Sequence, residues 1–261
     1  MLAFKLILVP TLIGAVSLAG RRWGPMVSGW LVGLPLTSGP VVLFLALERG
    51  QTFAASAAHG TLVGVVSLSA FCLAYSWFSF HFGWLRSMLA GWIIYFVLTF
   101  VLEQFAVPLL MSFVVVVGVL ALSLKLLPHA SAGDAIPVPP KWELPLRMLA
   151  ATAIVLLLTG FAELLGPQRS GLLATFPAYA TILAVFTHHF QGGKAATQLL
   201  RGVVAGTFSF AAFFLIVGGV IMKLGIPAAF GLATVAALSI HGCSLWLVRR
   251  HAVSSKKAGF M

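Results

Sequence analysis

The sequence predicts an all-α polytopic integral membrane protein with nine transmembrane helices, arranged as two inverted four-helix repeats joined by a connector helix. Three observations predict it. Of the 261 residues, 61% are hydrophobic and 8% charged, with a mean hydropathy of +1.08, far outside the range of soluble domains. The chain matches itself at an offset of 142 residues, and its basic residues fall on one side of the implied membrane.

About 20 apolar residues cross a bilayer core, and nine such stretches follow in order: 3–19, 25–47, 53–79, 84–103, 106–127, 145–164, 168–189, 198–222 and 226–248. The first contains LILVPTLIGAVSLAG, which has the look of a signal peptide. It lacks a clearly basic leading region and runs into Arg21 and Arg22, so it is read as a retained span. The second holds GPMVSGWLVGLPLTSGP, with helix breakers near its middle, and the third carries Gly60 and Gly64. The fourth closes the first repeat, and the fifth, unmatched by the offset, is the connector. Spans six to nine repeat spans one to four. The expected divisions are residues 1–104 for the first repeat, 105–144 for the connector span and its loop, and 145–261 for the second repeat with a basic tail.

The repeat is carried by Gly24 to Phe71 against Gly166 to Phe213, gapless, with identities that include Pro25/Pro167, Gly29/Gly171, Pro35/Pro177, Gly50/Gly192, Gly60/Gly202 and Gly64/Gly206. Four spans, one connector and four spans set the second repeat upside down relative to the first. Such inverted repeats are common in secondary transporters, where substrate sites lie near the midplane and often use discontinuous helices.

The net charge of +11 reads as topology and contact with anionic lipid rather than nucleic-acid binding. Twelve of the 16 basic residues, among them Arg21, Arg22, Arg86, Lys141, Arg147, Lys194, Arg201, Arg249 and Arg250, share the side of the C-terminus. The other side holds Lys5, Arg49, Arg169 and Lys223, with the acids Glu48, Glu103 and Glu163. The positive-inside rule then makes the C-terminus cytoplasmic and the N-terminus external. Trp23, Trp84, Trp142 and Trp246 lie toward span ends, as an aromatic belt requires. Cys72 and Cys243 fall within spans and read as small buried hydrophobes, not as a disulfide or zinc site.

Pro35 and Pro177 each lie about ten residues into their spans and approach the bilayer centre from opposite directions. A proline removes one amide donor and clashes with the carbonyl one turn earlier, freeing backbone polar groups that need partners. Thr37 and Ser38 follow the first break, Tyr179 and Thr181 the second. One reading is two facing broken helices that line a substrate cavity; the other is a pair of kinks satisfied by hydroxyl side chains. Gly60 and Gly64, with their equivalents Gly202 and Gly206, form GxxxG motifs suited to close helix packing, expected between spans three and eight.

Among the histidines, His59 near the outer end of span three and His241 within span nine are candidate site residues, each also readable as a hydrogen-bonded structural group. His188 and His189 with Lys194 can receive an anion or sit at the interface; Arg201 is expected to snorkel to headgroups. No carboxylate is placed at mid-membrane, and there is no phosphate-binding loop, nucleophile motif or metal-ligand cluster. An ATP-driven pump, an enzyme, a metal and a cofactor are therefore not expected.

The second repeat, SGLLATFPAYATILAVFTHHFQGG from Ser170 to Gly193, resembles the GlpM-like family of small four-span membrane proteins. The shared pattern is a Gly-Leu pair, a Phe-Pro step followed by a small or aromatic residue, an aliphatic run ending near a histidine, and a glycine-containing loop. The first repeat keeps the proline in GWLVGLPLTSGPVVLFLALERG, with Leu34 in place of Phe176 and an added Pro40. The resemblance covers most of the chain as two copies. It implies a bacterial inner (cytoplasmic) membrane protein, the family being associated with alginate production in pseudomonads, and names no substrate.

The leading expectation is a secondary transporter or flippase for a small neutral or anionic, or lipid-linked, substrate. Its site would comprise the breaks at Pro35 and Pro177 with Thr37, Ser38, Tyr179, Thr181, His59 and His241. The alternatives are a non-transporting inner-membrane partner of an envelope or exopolysaccharide assembly and, behind it, a lipid-modifying membrane enzyme. Expected partners are membrane lipids, the small or lipid-linked substrate, and a second copy or an envelope assembly.

Overall fold

The computed structural model describes residues 2–105, 107–128, 137, 139–165 and 176–258. The repeat positions Gly166, Pro167, Ser170, Gly171 and Leu173, the start of the seventh apolar stretch, and Arg169 lie outside the described residues. So do the side chains of Lys5, Glu163, Trp246, Arg249 and Arg250.

The described chain is all-α, with no strand among the described residues. Its helices are α1 (Leu2–Trp23), α2 (Pro25–Val32), α3 (Ser38–Arg49), α4 (Gln51–Phe78), α5 (Trp84–Leu102), α6 (Leu109–Leu126), α7 (Glu143–Leu165), α8 (Ala178–Gln191) and α9 (Gly193–Ala258). Four of them are long and apolar enough to cross a membrane: α4, α5, α6 and α9. The last is 52 residues over Gly193–Ser244, far more than one crossing needs. It is divided at Gly225, whose φ of 75° and ψ of 174° are not helical. Pro227 follows two residues on, in the first turn of the second segment, where its missing amide costs nothing.

An apolar run becomes helix in lipid because every backbone N–H and C=O must find a partner within the segment. Hydroxyl side chains do the same by turning back on their own helix: Ser69 donates to Val65 O (2.8 Å), Thr99 to Tyr95 O (2.8 Å) and Thr207 to Val203 O (2.7 Å). The outer faces of α5 and α6 present Ile93, Val97, Phe100, Leu110 and Val114, all more than half exposed, a surface suited to hydrocarbon rather than water.

The second apolar stretch is two helices rather than one. α2 ends at Val32 and α3 starts at Ser38, with Pro35 in the interruption. At 8 and 12 residues, the halves reach about 12 and 18 Å, each too short to cross alone. α8 begins directly after Pro177. The two breaks share one backbone pattern: Leu36 N donates to Leu34 O and Ala178 N to Phe176 O, both 2.8 Å. One step on, Gly39 N reaches Pro35 O at 2.9 Å and Thr181 N reaches Pro177 O at 2.8 Å. Each pair is related by the 142-residue offset. So are Gly50 (φ 88°, ψ 171°) and Gly192 (φ 88°, ψ 168°), which join α3 to α4 and α8 to α9 in a conformation open only to glycine.

Two pairs of helices that match under the offset pack against each other and run in opposite directions. α1 lies along α7, with Arg21 beside Glu143 and Ser17 beside Arg147. α4 lies along the first part of α9, with Thr52 near Met222 at one end and Ser79 near Gly193 and Thr197 at the other. α6 packs on both α4 and α9, through His59 to Ser112 (3.0 Å) and Leu109 against Gly218.

The closest helix contact corrects the expected role of the GxxxG motifs. α4 and the first part of α9 do pack along each other, as expected for spans three and eight, but Gly202 and Gly206 face α2 rather than α4. A Cβ at Gly202 would run into Met26 O and Trp30 N, and one at Gly206 into Trp30 O. The reciprocal holds: a Cβ at Gly29 would meet Leu199 O, and one at Gly33 the backbone of Gly206. Two facing pairs of glycines four residues apart thus let the α2 and α9 backbones touch, which gives van der Waals contact where lipid offers no solvent-driven burial. Among the described residues nothing lies within 4 Å of a Cβ at Gly60. Cys72 is buried as expected, whereas Cys243 is exposed: its position on the second part of α9 faces outward.

Candidate functional site

The two proline breaks face each other. The Thr37 side chain is a near neighbour of the Tyr179 hydroxyl, and these two residues are equivalents under the repeat, 142 positions apart. Equivalent residues of a twofold pair touch only where the axis relating them passes, so the breaks meet on that axis. Thr37 occupies the N-cap position of α3 but makes no side-chain cap bond. Pro177, at the N-cap of α8, has no side chain able to cap. Two helix N-termini without side-chain caps, each carrying partial positive charge, therefore converge there.

The surroundings differ on the two sides. Thr181 is 1% exposed and accepts a hydrogen bond from Trp92 Nε1 (3.2 Å). Phe176, the residue before the second break, is enclosed by Trp92, Tyr95 and Phe96 of α5, with ring centroids 5.3 to 5.8 Å away. Opposite the first break, Gly39 is approached by the Phe213 ring at 3.3 Å from a built Cβ. Ser38, at the start of α3, and Pro35, in the interruption before it, are half-buried. The sequence pattern identified the prolines but not the α5 aromatics, which look like any lipid-facing run until α5 is packed on α8.

The histidines proposed as site residues do not join the breaks. His59 pairs with Ser112 at 3.0 Å, on the face of α4 that meets α6. His241 is stacked on Trp30 of α2 (centroids 3.6 Å, interplanar angle 20°) and hydrogen-bonds through Nδ1 to Ser209 Oγ at 3.0 Å. Trp30 Nε1 in turn donates to Ser244 Oγ at 2.8 Å, so this group ties α2 to both parts of α9. His188 Nδ1 is 3.3 Å from the Tyr75 hydroxyl, and His189 sits edge-on to Trp84. Arg201, expected to snorkel, instead donates to Leu127 O at the end of α6 (3.4 Å). Among the described residues no group of three His, Cys, Asp or Glu side chains is placed to hold a metal.

A second polar site escaped the sequence reading. Glu143, at the start of α7, is 1% exposed and paired with two arginines. Arg21 of α1 binds its Oε2 at 2.9 Å and also reaches Pro140 O at 3.0 Å. Arg147, one helical turn on, binds its Oε1, donates to Ser17 Oγ at 3.3 Å and lies over the Phe186 ring. These groups border a cavity of about 20 Å3, together with Ser28 of α2 and Thr187 and Gln191 of α8. The cavity therefore lies between the second and seventh apolar segments, but at their ends rather than at the breaks. The available signal was the Glu143–Arg147 spacing of four residues, which on a helix sets opposite charges side by side. It reads the same on a solvated helix end.

The described fold is thus an all-α membrane architecture with paired helix breaks. No family model, curated protein or solved structure matches this chain.

Proposed function

We propose that the protein is a secondary transporter or flippase of nine membrane spans, built as two inverted four-span repeats around a connector span, α6. Three features support the inverted arrangement: matched helices run antiparallel, matched breaks share backbone hydrogen bonds, and Gly50 and Gly192 share dihedral angles. A cytoplasmic C-terminus in a bacterial inner membrane follows from the distribution of basic residues and from the resemblance to GlpM-like proteins.

The observation that carries the transport reading is the approach of Thr37 to Tyr179 on the repeat axis. In an inverted-repeat carrier that axis is where alternating access pivots and where substrate binds. Two helix N-termini at this point favour a neutral or anionic group, free or as a lipid headgroup, over a cation. Polar backbone at a helix break is tolerated within a membrane where it lines a protein interior. The reading as a silent partner of an envelope assembly would leave the breaks with a packing role alone.

The test is uptake and lipid scrambling in proteoliposomes over a panel of neutral, anionic and lipid-linked substrates. Tyr179→Phe, Pro35→Ala and Pro177→Ala are each expected to lower the rate for the transported member while the protein remains folded. Rates unchanged in all three variants would remove the proposed site, and a panel with no transported member would favour the partner reading.

A further inference from the structure

We propose that the cavity bounded by Arg21, Glu143, Arg147 and Ser28 is a binding site for one small monovalent anion of halide size. The inference stands on this cavity alone and does not rest on the transport reading. Its charge is unbalanced: two guanidinium groups meet one carboxylate, leaving one net positive charge where Glu143 and Arg147 are buried and the Arg21 side chain is 23% exposed. A buried charge without a counter-charge is costly, and a bound anion removes that cost.

The hydrogen-bond donors are also in excess. Arg21 Nε, Arg147 Nε and the Ser28 hydroxyl are all buried without a partner, and all three residues line the same cavity. Arg147 is 6% exposed and Ser28 2% exposed, so neither has ready access to bulk water. Orphaned buried donors are uncommon in folded proteins, and three around one void point to an acceptor that belongs there. Glu143 also borders the cavity: its Oε2 is held by Arg21, while its Oε1 is ion-paired with Arg147 but takes no hydrogen bond, so three unpartnered donors face one unpartnered acceptor. At about 20 Å3 the void holds little more than a water-sized sphere. A small monovalent ion such as chloride suits that space better than a tetrahedral oxyanion.

α1, α2, α7, α8 and α9 all contribute to the lining. An ion there ties together helices from both repeats, so occupancy raises the stability of the whole chain by linkage.

The test uses the full-length protein in lipid nanodiscs, with chloride exchanged for gluconate at constant ionic strength and thermal unfolding as the readout. The midpoint is expected to rise saturably with chloride. Arg147→Lys replaces a fork of donors with a point charge, and the chloride concentration for half-effect should rise about tenfold, the loss of one charge-assisted hydrogen bond. Ser28→Ala removes a single unpartnered hydroxyl without disturbing the ion pairs, so it folds and should weaken the response less. Glu143→Gln should strengthen it, because a second positive charge is left uncompensated. Equal midpoints in chloride and gluconate would mean that the void holds water, and would overturn the proposal. A chloride response identical in the wild type, Arg147→Lys and Ser28→Ala would place any bound ion elsewhere, with the same consequence. Phosphate or sulfate shifting the midpoint more than chloride would overturn the assignment to a halide-sized ion.

Discussion

Replacing Gly202 by alanine probes the contact on which the α2–α9 pairing depends. The added Cβ would fall into Met26 O, lie 2.8 Å from Trp30 N and 2.9 Å from the Met26 carbonyl carbon. Non-bonded carbon atoms prefer about 3.5–4.0 Å, so the two helices must part by roughly 1 Å. That displacement cannot be absorbed by a side chain, because every atom met is backbone. Gly29, Gly33 and Gly206 share the contact and would lose it together. Overpacking of this kind costs about 1–3 kcal/mol. The control is Gly118→Ala in α6, where a Cβ meets nothing within 4 Å. Alanine is the better helix former by about 1 kcal/mol, so that variant should be neutral or slightly stabilised. Reversible unfolding in mixed micelles of mild detergent and dodecyl sulfate measures both, with an expected gap of about 1–4 kcal/mol between them. Equal stability of the two variants would refute the backbone-to-backbone contact.

Gly50→Ala and Gly192→Ala should each lose about 1–3 kcal/mol in the same assay, because both glycines hold φ 88° with extended ψ; a loss in one alone would argue that the two junctions are not equivalent. Arg147→Met breaks a buried pair and should cost about 3–5 kcal/mol, with Glu143→Gln in the same chain restoring part of it; no loss on Arg147→Met would show that Glu143 is not buried as described. Trp30→Phe keeps the stack on His241 but deletes the bond to Ser244, and should cost about 1 kcal/mol in unfolding measurements.

Much of the fold was legible along the chain because the signals are local. An apolar run of membrane length has few options other than helix, and a proline interrupts a helix wherever it falls within one. Pro35 and Pro177, with the glycines around them, marked both breaks and the repeat that relates them. The gap left between the eighth and ninth apolar stretches, at 222–226, coincides with the division of the longest helix at Gly225. The all-α class and the order of the apolar segments therefore followed from composition and punctuation, although the second stretch divides into two helices.

Partner choice was not legible in this way. The four-residue glycine spacing is present in α2, α4 and α9, and nothing along the chain says which two of the three meet; only the packed backbone pairs Gly29 and Gly33 with Gly202 and Gly206. His241 acquires its meaning from Trp30, more than two hundred residues away, and Phe176 from the rings of α5. Glu143 shows the limit most clearly. A carboxylate and an arginine one turn apart at a helix start suggest a solvated end, and both would be, had Arg21 and the segments carrying Ser28 and Thr187 not closed over them. Helix formation is decided by neighbours in sequence, whereas burial of a charge is decided by what arrives from elsewhere in the chain, and that depends on the tertiary arrangement.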